Sequence, residues 1–263
     1  VSAAQRIAIV TLFPELFQGF LQASLVGQAV RDGLLAFEFE SPRDHGFGRH
    51  RSVDDTPYGG GSGMVLRVDV MVAALENLDT RLGLRPRRIL LTPAGKPFRQ
   101  IDAQRLAEEP ALAFVCGRYE GFDSRIEAYV DEELSLGDFV LCGGEVAAMA
   151  MTEAIVRLRP GVLGNAHSVV EESHGGALLE YPQFTRPAEF RGAGVPPVLA
   201  GGNHELIAAW RTAEAEQRTA ARRPDLYEPY ARAKAAEEAR VAAEKAAKRA
   251  RRKRPVPPAE GES

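Results

Sequence analysis

Short apolar runs separated by stretches of helical period set the frame of this chain. Ile7 to Thr11 (IAIVT), Leu34 to Glu40, Arg88 to Thr92 (RILLT), Ala111 to Val115 and Phe139 to Leu141 read as strands. Four of them are nearly uninterrupted apolar runs, the pattern of strands buried on both faces. Leu16, Phe17, Phe20 and Leu21 repeat at helical spacing, with Pro14 suited to the first turn. Helices are predicted over Met64 to Leu82, Arg99 to Glu109 and Glu145 to Arg157, the last bounded by Gly144 and Pro160. That last helix, EVAAMAMTEAIVR, is apolar on most faces and is expected to be buried. Strand alternating with helix predicts an α/β fold with a mostly parallel sheet and helices on both faces.

The pattern changes after Pro160. Residues 161 to 176 have no clear period and read as a flexible linker. A smaller helical unit is expected over 177 to 230, with Asn203 as an N-cap and Leu206, Trp210 and Ala213 as its apolar stripe. Arg211, Arg218 and Arg222 recur on another face, either as solvated surface or as an RNA-binding face. From Ala231 the chain turns to Ala, Glu, Lys and Arg, predicting a helix to about Arg254 and disorder beyond Pro255.

Charge sharpens this division. The net charge is -3, but residues 231 to 254 hold ten Lys or Arg against three Glu, and residues 1 to 230 carry a net -8. Any nucleic-acid contact made by the body therefore depends on local basic patches. Two cysteines, Cys116 and Cys142, both in apolar strand contexts, point to a reduced cytoplasmic setting and are too few for a zinc site. The opening VSAAQRIAIV does not read as a secretory signal, and no apolar run is long enough to span a membrane.

Candidate chemistry gathers where glycines close apolar runs. Gly117 follows one predicted strand, and Gly143 and Gly144 follow another. Glycine lets backbone amides approach a ligand closely, and strand ends of an α/β sheet are the usual place for one. Residues 41 to 63 carry Arg43, Arg49 and Arg51 with a PYGGGSG turn. This stretch reads as a surface loop or as a substrate loop that meets phosphates and a base. PYGGGSG lacks the Gly-Lys-Ser/Thr ending of a phosphate loop. The five histidines show no metal spacing.

The blocks CGRYEG (116 to 121), DEELSLGDFVLCGGE (131 to 145) and RPGVLG (159 to 164), with TLFPELF (11 to 17), VDDTPYGGGSGM (53 to 64) and RRPDLYE (222 to 228), resemble the bacterial tRNA (guanine-N1)-methyltransferases acting at position 37. These are knotted, S-adenosylmethionine-dependent SPOUT enzymes. The resemblance implies a deep trefoil knot between about Arg88 and Arg159 within a methyltransferase domain over 1 to 160. It also implies a tRNA-binding domain over 177 to 230 and a homodimer whose active site lies at the subunit interface. The implied substrate is a tRNA whose guanine 37 follows another guanine, and the product is 1-methylguanosine.

By the same resemblance, Leu91, Gly117, Tyr119, Leu136, Gly137, Asp138, Phe139, Val140, Leu141, Gly143 and Gly144 bind S-adenosylmethionine. Asp54, Gly59, Gly63 and Ser168 bind the substrate, and the family's Pro is replaced by Ser62. Arg157 would stabilise charge on guanine, although the helix dipole alone accounts for a cation there. Glu120 and Asp138 either attract the sulfonium or cap helices. The general base is an aspartate in the family and Glu172 here, with Glu171 as its rival. The family's further cofactor is a divalent cation such as Mg2+, for which no ligand set is legible. A catalytically impaired tRNA-binding protein and a knotted methyltransferase of another RNA position are the competing readings.

Overall fold

The computed structural model of the chain describes residues 4–163 and 173–252. It divides into two compact units, Val1–Ala166 and His167–Ser263.

The first unit is built on five parallel strands. β1 (Gln5–Val10) is followed by a 3-10 turn, Pro14–Phe17, then α1 (Gln18–Gln22), α2 (Ser24–Arg31) and β2 (Leu35–Glu40). A two-residue antiparallel pair, β3 (Asp54–Asp55) and β4 (Val65–Leu66), precedes α3 (Val68–Leu82). Then come β5 (Arg87–Pro97), α4 (Gln100–Ala107), β6 (Ala111–Cys116), β7 (Glu132–Ser135) and α5 (Glu145–Val156). The sheet order is β2-β1-β6-β5-β7. Parallel neighbours need a crossover between them, which is why helices cover both faces.

The period of two along β1 sends its side chains to opposite faces. Ile7 and Ile9 join a core with Phe17 and Val26, Ala103 and Leu106 of α4, and Ala148, Met151 and Ile155 of α5. Ala8 and Val10 join the other core, with Val70, Met71, Leu75 and Leu78 of α3. β6 is buried at all six positions, as a central strand packed on both faces must be.

Several elements differ from the sequence expectation. The helix predicted from Met64 begins at Val68, because Val65 and Leu66 are drawn into pairing with Asp55 and Asp54. It ends at Gly83, whose φ of +68° lets the chain turn out in the left-handed region. The helix predicted over 99 to 109 spans only Gln100–Ala107; its start is fixed by the Asp102 carboxylate, which accepts the Arg99 N–H at 3.1 Å. α5 is not buried all round: Val146 is 57% exposed and Ala150 is exposed on the same stripe. The predicted strand Phe139 to Leu141 does not exist. The fifth strand is Glu132–Ser135, and residues 136–144 form a loop in which Val140 is 82% exposed. An apolar run makes a strand only where a neighbour offers a ladder, and β7 takes that place beside β5. Cys142 is consequently exposed, while Cys116 is buried.

In the second unit a two-residue hairpin, β8 (Glu189–Phe190) and β9 (Ala193–Gly194), leads to α6 (Pro197–Ala200), α7 (His204–Arg222) and α8 (Pro224–Arg252). Asn203 caps α7, its side chain accepting the N–H groups of Glu205 and Leu206. The buried positions of α7 are Ala215 and Thr219, whereas Leu206 and Ala213 of the predicted stripe are exposed. Thr219 decides this face: its hydroxyl accepts the Leu179 N–H at 2.9 Å and donates to the Ala215 carbonyl at 2.6 Å. Trp210 is half-buried against Phe184, ring centroids 6.2 Å apart. α8 starts seven residues before the predicted tail helix and carries Pro229 inside it. Tyr230 Oη donates to Glu216 of α7 at 2.7 Å and Lys234 Nζ reaches the same oxygen at 2.5 Å, tying the two helices.

Candidate active site

The strands are parallel, so their C-terminal ends lie along one edge of the sheet, and there a cavity of about 400 Å³ opens. Three segments wall it: residues 90–94 in the middle of β5, 117–127 after β6 and 133–144 from β7 into the loop that follows it. β5 makes room by bulging. Leu91 and Lys96 both pair with Leu134, so Thr92 to Gly95 leave the ladder. A side chain at Gly95 would lie 2.7 Å from the backbone of Glu133 and Leu134, so only glycine lets the bulge close against β7.

Of the predicted cofactor residues, Leu91, Gly117, Tyr119, Leu136, Gly137, Phe139, Val140, Leu141, Gly143 and Gly144 line this cavity; Asp138 does not. The exposed apolar run 139–141 thus borders the cavity instead of entering the sheet. Among the described residues the backbone N–H groups of Val140 and Leu141 have no protein partner, leaving donors for a ligand. Thr92, Pro93 and Ala94 also line it. Their signal in the sequence is the Pro-Ala-Gly that ends the RILLT run.

Beside this wall is a charged cluster that the sequence reading missed. Glu145, 1% exposed at the start of α5, accepts the Thr11 hydroxyl at 2.7 Å and pairs with Arg118 at 2.9 Å. Arg118 also donates to the Cys142 carbonyl at 3.2 Å and stacks over the Phe13 ring at 4.4 Å. One guanidinium therefore ties the loops after β6 and β7 to each other and to the segment after β1. The usable signal is an acid directly behind Gly-Gly at a helix start, where the dipole favours it and burial demands a cation. Burial, and then the Glu145 charge, push the Cys116 thiol up, so it stays neutral and serves packing.

The 53–67 segment is laced to the loop after β6. Glu120 N–H donates to Met64 O at 3.0 Å, Leu66 N–H to Gly121 O at 2.9 Å and Asp123 N–H to Leu66 O at 3.0 Å. A β-carbon at Gly63, whose φ is +90°, would run into the Glu120 side chain. Gly63 is thereby brought beside the cavity, where Glu120 is a lining residue. Asp54 is half-buried in β3, and Gly59, with φ of +87°, follows the fully exposed Tyr58. The loop is anchored at its start by Glu40, whose buried carboxylate meets His45 at 2.7 Å, Asn77 at 3.0 Å and Arg81 at 2.6 Å.

Arg157 is the C-cap of α5 and borders a different hollow, with Phe20, Leu25 and Glu153. Twelve residues of helix from Glu145 amount to about 18 Å, so the two ends of α5 serve different places. Ser168 and Glu172, with Glu171, lie outside the described residues. In the second unit Arg211 stacks over Tyr181 at 4.7 Å and Arg218 donates to Glu180 O at 3.4 Å, so these two pack against their own unit while Arg222 is exposed. Among the described residues no group of three His, Cys, Asp or Glu is placed to hold a metal ion, and no helix is long and apolar enough to cross a membrane.

The sequence model of the tRNA (guanine-1)-methyltransferase TrmD family matches residues 5–229, nearly the whole of the first unit and about two thirds of the second. The chain belongs to that family. A tRNA (guanine-N(1)-)-methyltransferase of Sorangium cellulosum is 61% identical over 245 residues, covering 84% of this chain and 93% of the relative. Proteins of the same name from a Synechococcus strain and from Brevibacillus brevis are each 51% identical, over 225 and 227 residues. They cover 85% and 86% of this chain and 92% and 93% of themselves. Membership in the TrmD family makes S-adenosylmethionine the methyl donor and tRNA the acceptor class. The glycine-walled cavity lies on the two blocks, CGRYEG and SLGDFVLCGGE, that carry the resemblance. The matched region stops at residue 229, so most of α8 extends beyond it.

Proposed function

We propose that this chain transfers a methyl group from S-adenosylmethionine to N1 of guanine 37 in tRNA, where guanine 36 precedes it, giving 1-methylguanosine. It works in the cytoplasm as a homodimer, over a trefoil knot formed between about Arg88 and Arg159. A methyltransferase domain over 1 to 160, a linker over 161 to 176 and a tRNA-binding domain over 177 to 230 divide the work. The observation that carries this reading is the family match across residues 5–229, within which the cavity falls on the family's own motif blocks.

The cavity suits the donor. Its volume is in the range of small-molecule sites, Leu91, Leu136 and Leu141 offer apolar contact, and Val140 and Leu141 offer backbone donors. When bound, S-adenosylmethionine supplies an electrophilic methyl that needs no metal. Leu91, Gly117, Tyr119, Leu136, Gly137, Phe139, Val140, Leu141, Gly143 and Gly144 hold it, and Glu120 faces its charged end. Asp54, Gly59 and Gly63 hold the guanine, with Ser168 near the base.

Guanine N1 bears a proton, so a base must take it as the methyl arrives. Glu172 fills that role: the N1–H bond breaks toward its carboxylate, and the N1 electron pair would form the new bond to carbon as the donor's carbon–sulfur bond breaks and leaves its pair on sulfur, a neutral thioether. Charge spreading to O6 is met by Arg157. About 18 Å of helix separates Arg157 from the glycines that open α5. This favours a site in which one subunit's cavity meets the other's Arg157, linker and second unit. The exposed stripe Val146 and Ala150 is the face on which a second copy packs.

Labelled S-adenosylmethionine offered to an unmodified tRNA with guanines at 36 and 37, against a tRNA changed at 37, tests the reading. Label confined to the intact tRNA and mapped to N1 is expected. No transfer, with donor and tRNA both bound, would leave a catalytically impaired tRNA-binding protein, a reading favoured only by glutamate at 172.

A further inference from the structure

Beyond the family match, α8 is built in two parts, one charge-balanced and one cationic. Residues 231–244 carry Arg232, Lys234 and Arg240 against Glu237, Glu238 and Glu244, and so balance. Two of the three cations are spent locally: Lys234 on Glu216 at 2.5 Å, and Arg240 on Glu237 at 2.7 Å and Glu244 at 3.5 Å. From residue 245 to 254 there are seven Lys or Arg and no acid. A neutral stretch of helix, fixed at its base to α7 through Tyr230 and Glu216, thus leads to the start of this basic run at Lys245, about 21 Å along its axis from residue 231.

We propose that the end of α8, from Lys245 onward, is a second RNA-contact element that binds phosphates of the tRNA away from the target guanine. This rests on the reading of the chain as a tRNA methyltransferase and adds to it a contact that lies outside the matched region. Charge complementarity identifies the partner. Residues 1–230 carry a net -8 and repel RNA at long range, so a concentrated cation on a spacer is what restores attraction. The composition excludes insertion into a lipid surface: apart from charged residues, 231–254 holds only Ala and Val241, with no large apolar side chain to bury.

The test uses the full chain and a variant with Lys245, Lys248, Arg249, Arg251 and Arg252 all changed to Gln, which keeps helix propensity. Far-UV circular dichroism checks that the helix persists. Binding of a full-length unmodified tRNA and of its isolated anticodon hairpin is followed by fluorescence anisotropy from about 50 to 200 mM salt. For the full tRNA, the slope of log affinity against log salt is expected to flatten by about 3 to 4, with affinity down about tenfold or more. Binding of the hairpin and of S-adenosylmethionine is expected to stay unchanged. An unchanged slope for the full tRNA overturns the proposal, and so does an equal loss on the hairpin, which would put the contact at the anticodon arm. Loss of binding to anionic phospholipid vesicles with tRNA binding intact would make the partner a membrane and sink it likewise. If the unaltered chain binds neither RNA, the functional reading itself fails.

Discussion

A β-carbon added to Gly144 would lie 2.8 Å from the Cα of Cys116, in the backbone that ends β6 next to the cavity-lining Gly117. Gly144→Ala is expected to destabilise the first unit by about 1–3 kcal/mol in chemical unfolding and to abolish donor binding in calorimetry. Arg118 is a different kind of residue. It holds three segments together, and Arg118→Ala leaves Glu145 buried without its cation, so about 3–5 kcal/mol of stability is expected to be lost in the same unfolding assay. At the chemistry itself, Glu172→Gln removes the proton acceptor and is expected to lower kcat by about 10²–10⁴-fold with donor affinity unchanged. Wild-type turnover in that variant would take Glu172 out of the role. The glycines of the cavity were legible in the sequence because they mark strand ends. Arg118 and Glu145 were not, because their pairing joins residues 27 apart in the chain.

Among the elements, the 3-10 turn Ser124–Tyr129 closes the loop that bears Tyr119 and Glu120. Its cap is Asp123, which accepts the Arg125 N–H at 3.0 Å and the Arg125 guanidinium at 2.9 Å. The hydrogen bond from Arg125 lowers the Asp123 pKa to about 2. A depressed carboxylate contributes stability above its unfolded value and loses it as pH falls through the folded one. The stability gap between the wild type and Asp123→Asn is therefore expected to be constant above about pH 4. It should close as pH falls towards about 2, and amount to no more than about 2 kcal/mol in thermal unfolding. In the second unit, Asn203→Ala is expected to cost about 1 kcal/mol, read from the unfolding of α7. Element types were largely legible from period and caps. The exception, Phe139 to Leu141, reads as a strand by every local criterion, and only the competition for a place beside β5 excludes it.

For the whole molecule the central expectation is the dimer. Sedimentation under assay conditions is expected to give two copies, and Val146→Glu on the exposed stripe of α5 to give a monomer without activity. If Arg157 serves the partner's cavity, two individually inactive variants, Arg157→Ala and Gly144→Ala, should regain activity when mixed, since one site of the mixed dimer is then intact. No recovery after confirmed exchange of subunits would assign both groups to a single chain.

The sequence by itself determined the alternation of strand and helix, the glycine-closed strand ends, the cap at Asn203 and the charge division along the chain. These follow from local periodicity, backbone freedom and composition, which need no neighbour to be read. The tertiary structure decided which apolar run became the fifth strand, that β5 bulges to open the cavity and that Arg118 and Glu145 lock its loops. It also decided that Gly63 meets Glu120 and that Thr219, not Leu206, turns α7 inward. Each depends on a partner distant in sequence, so the energy that selects it exists only once the chain has closed on itself.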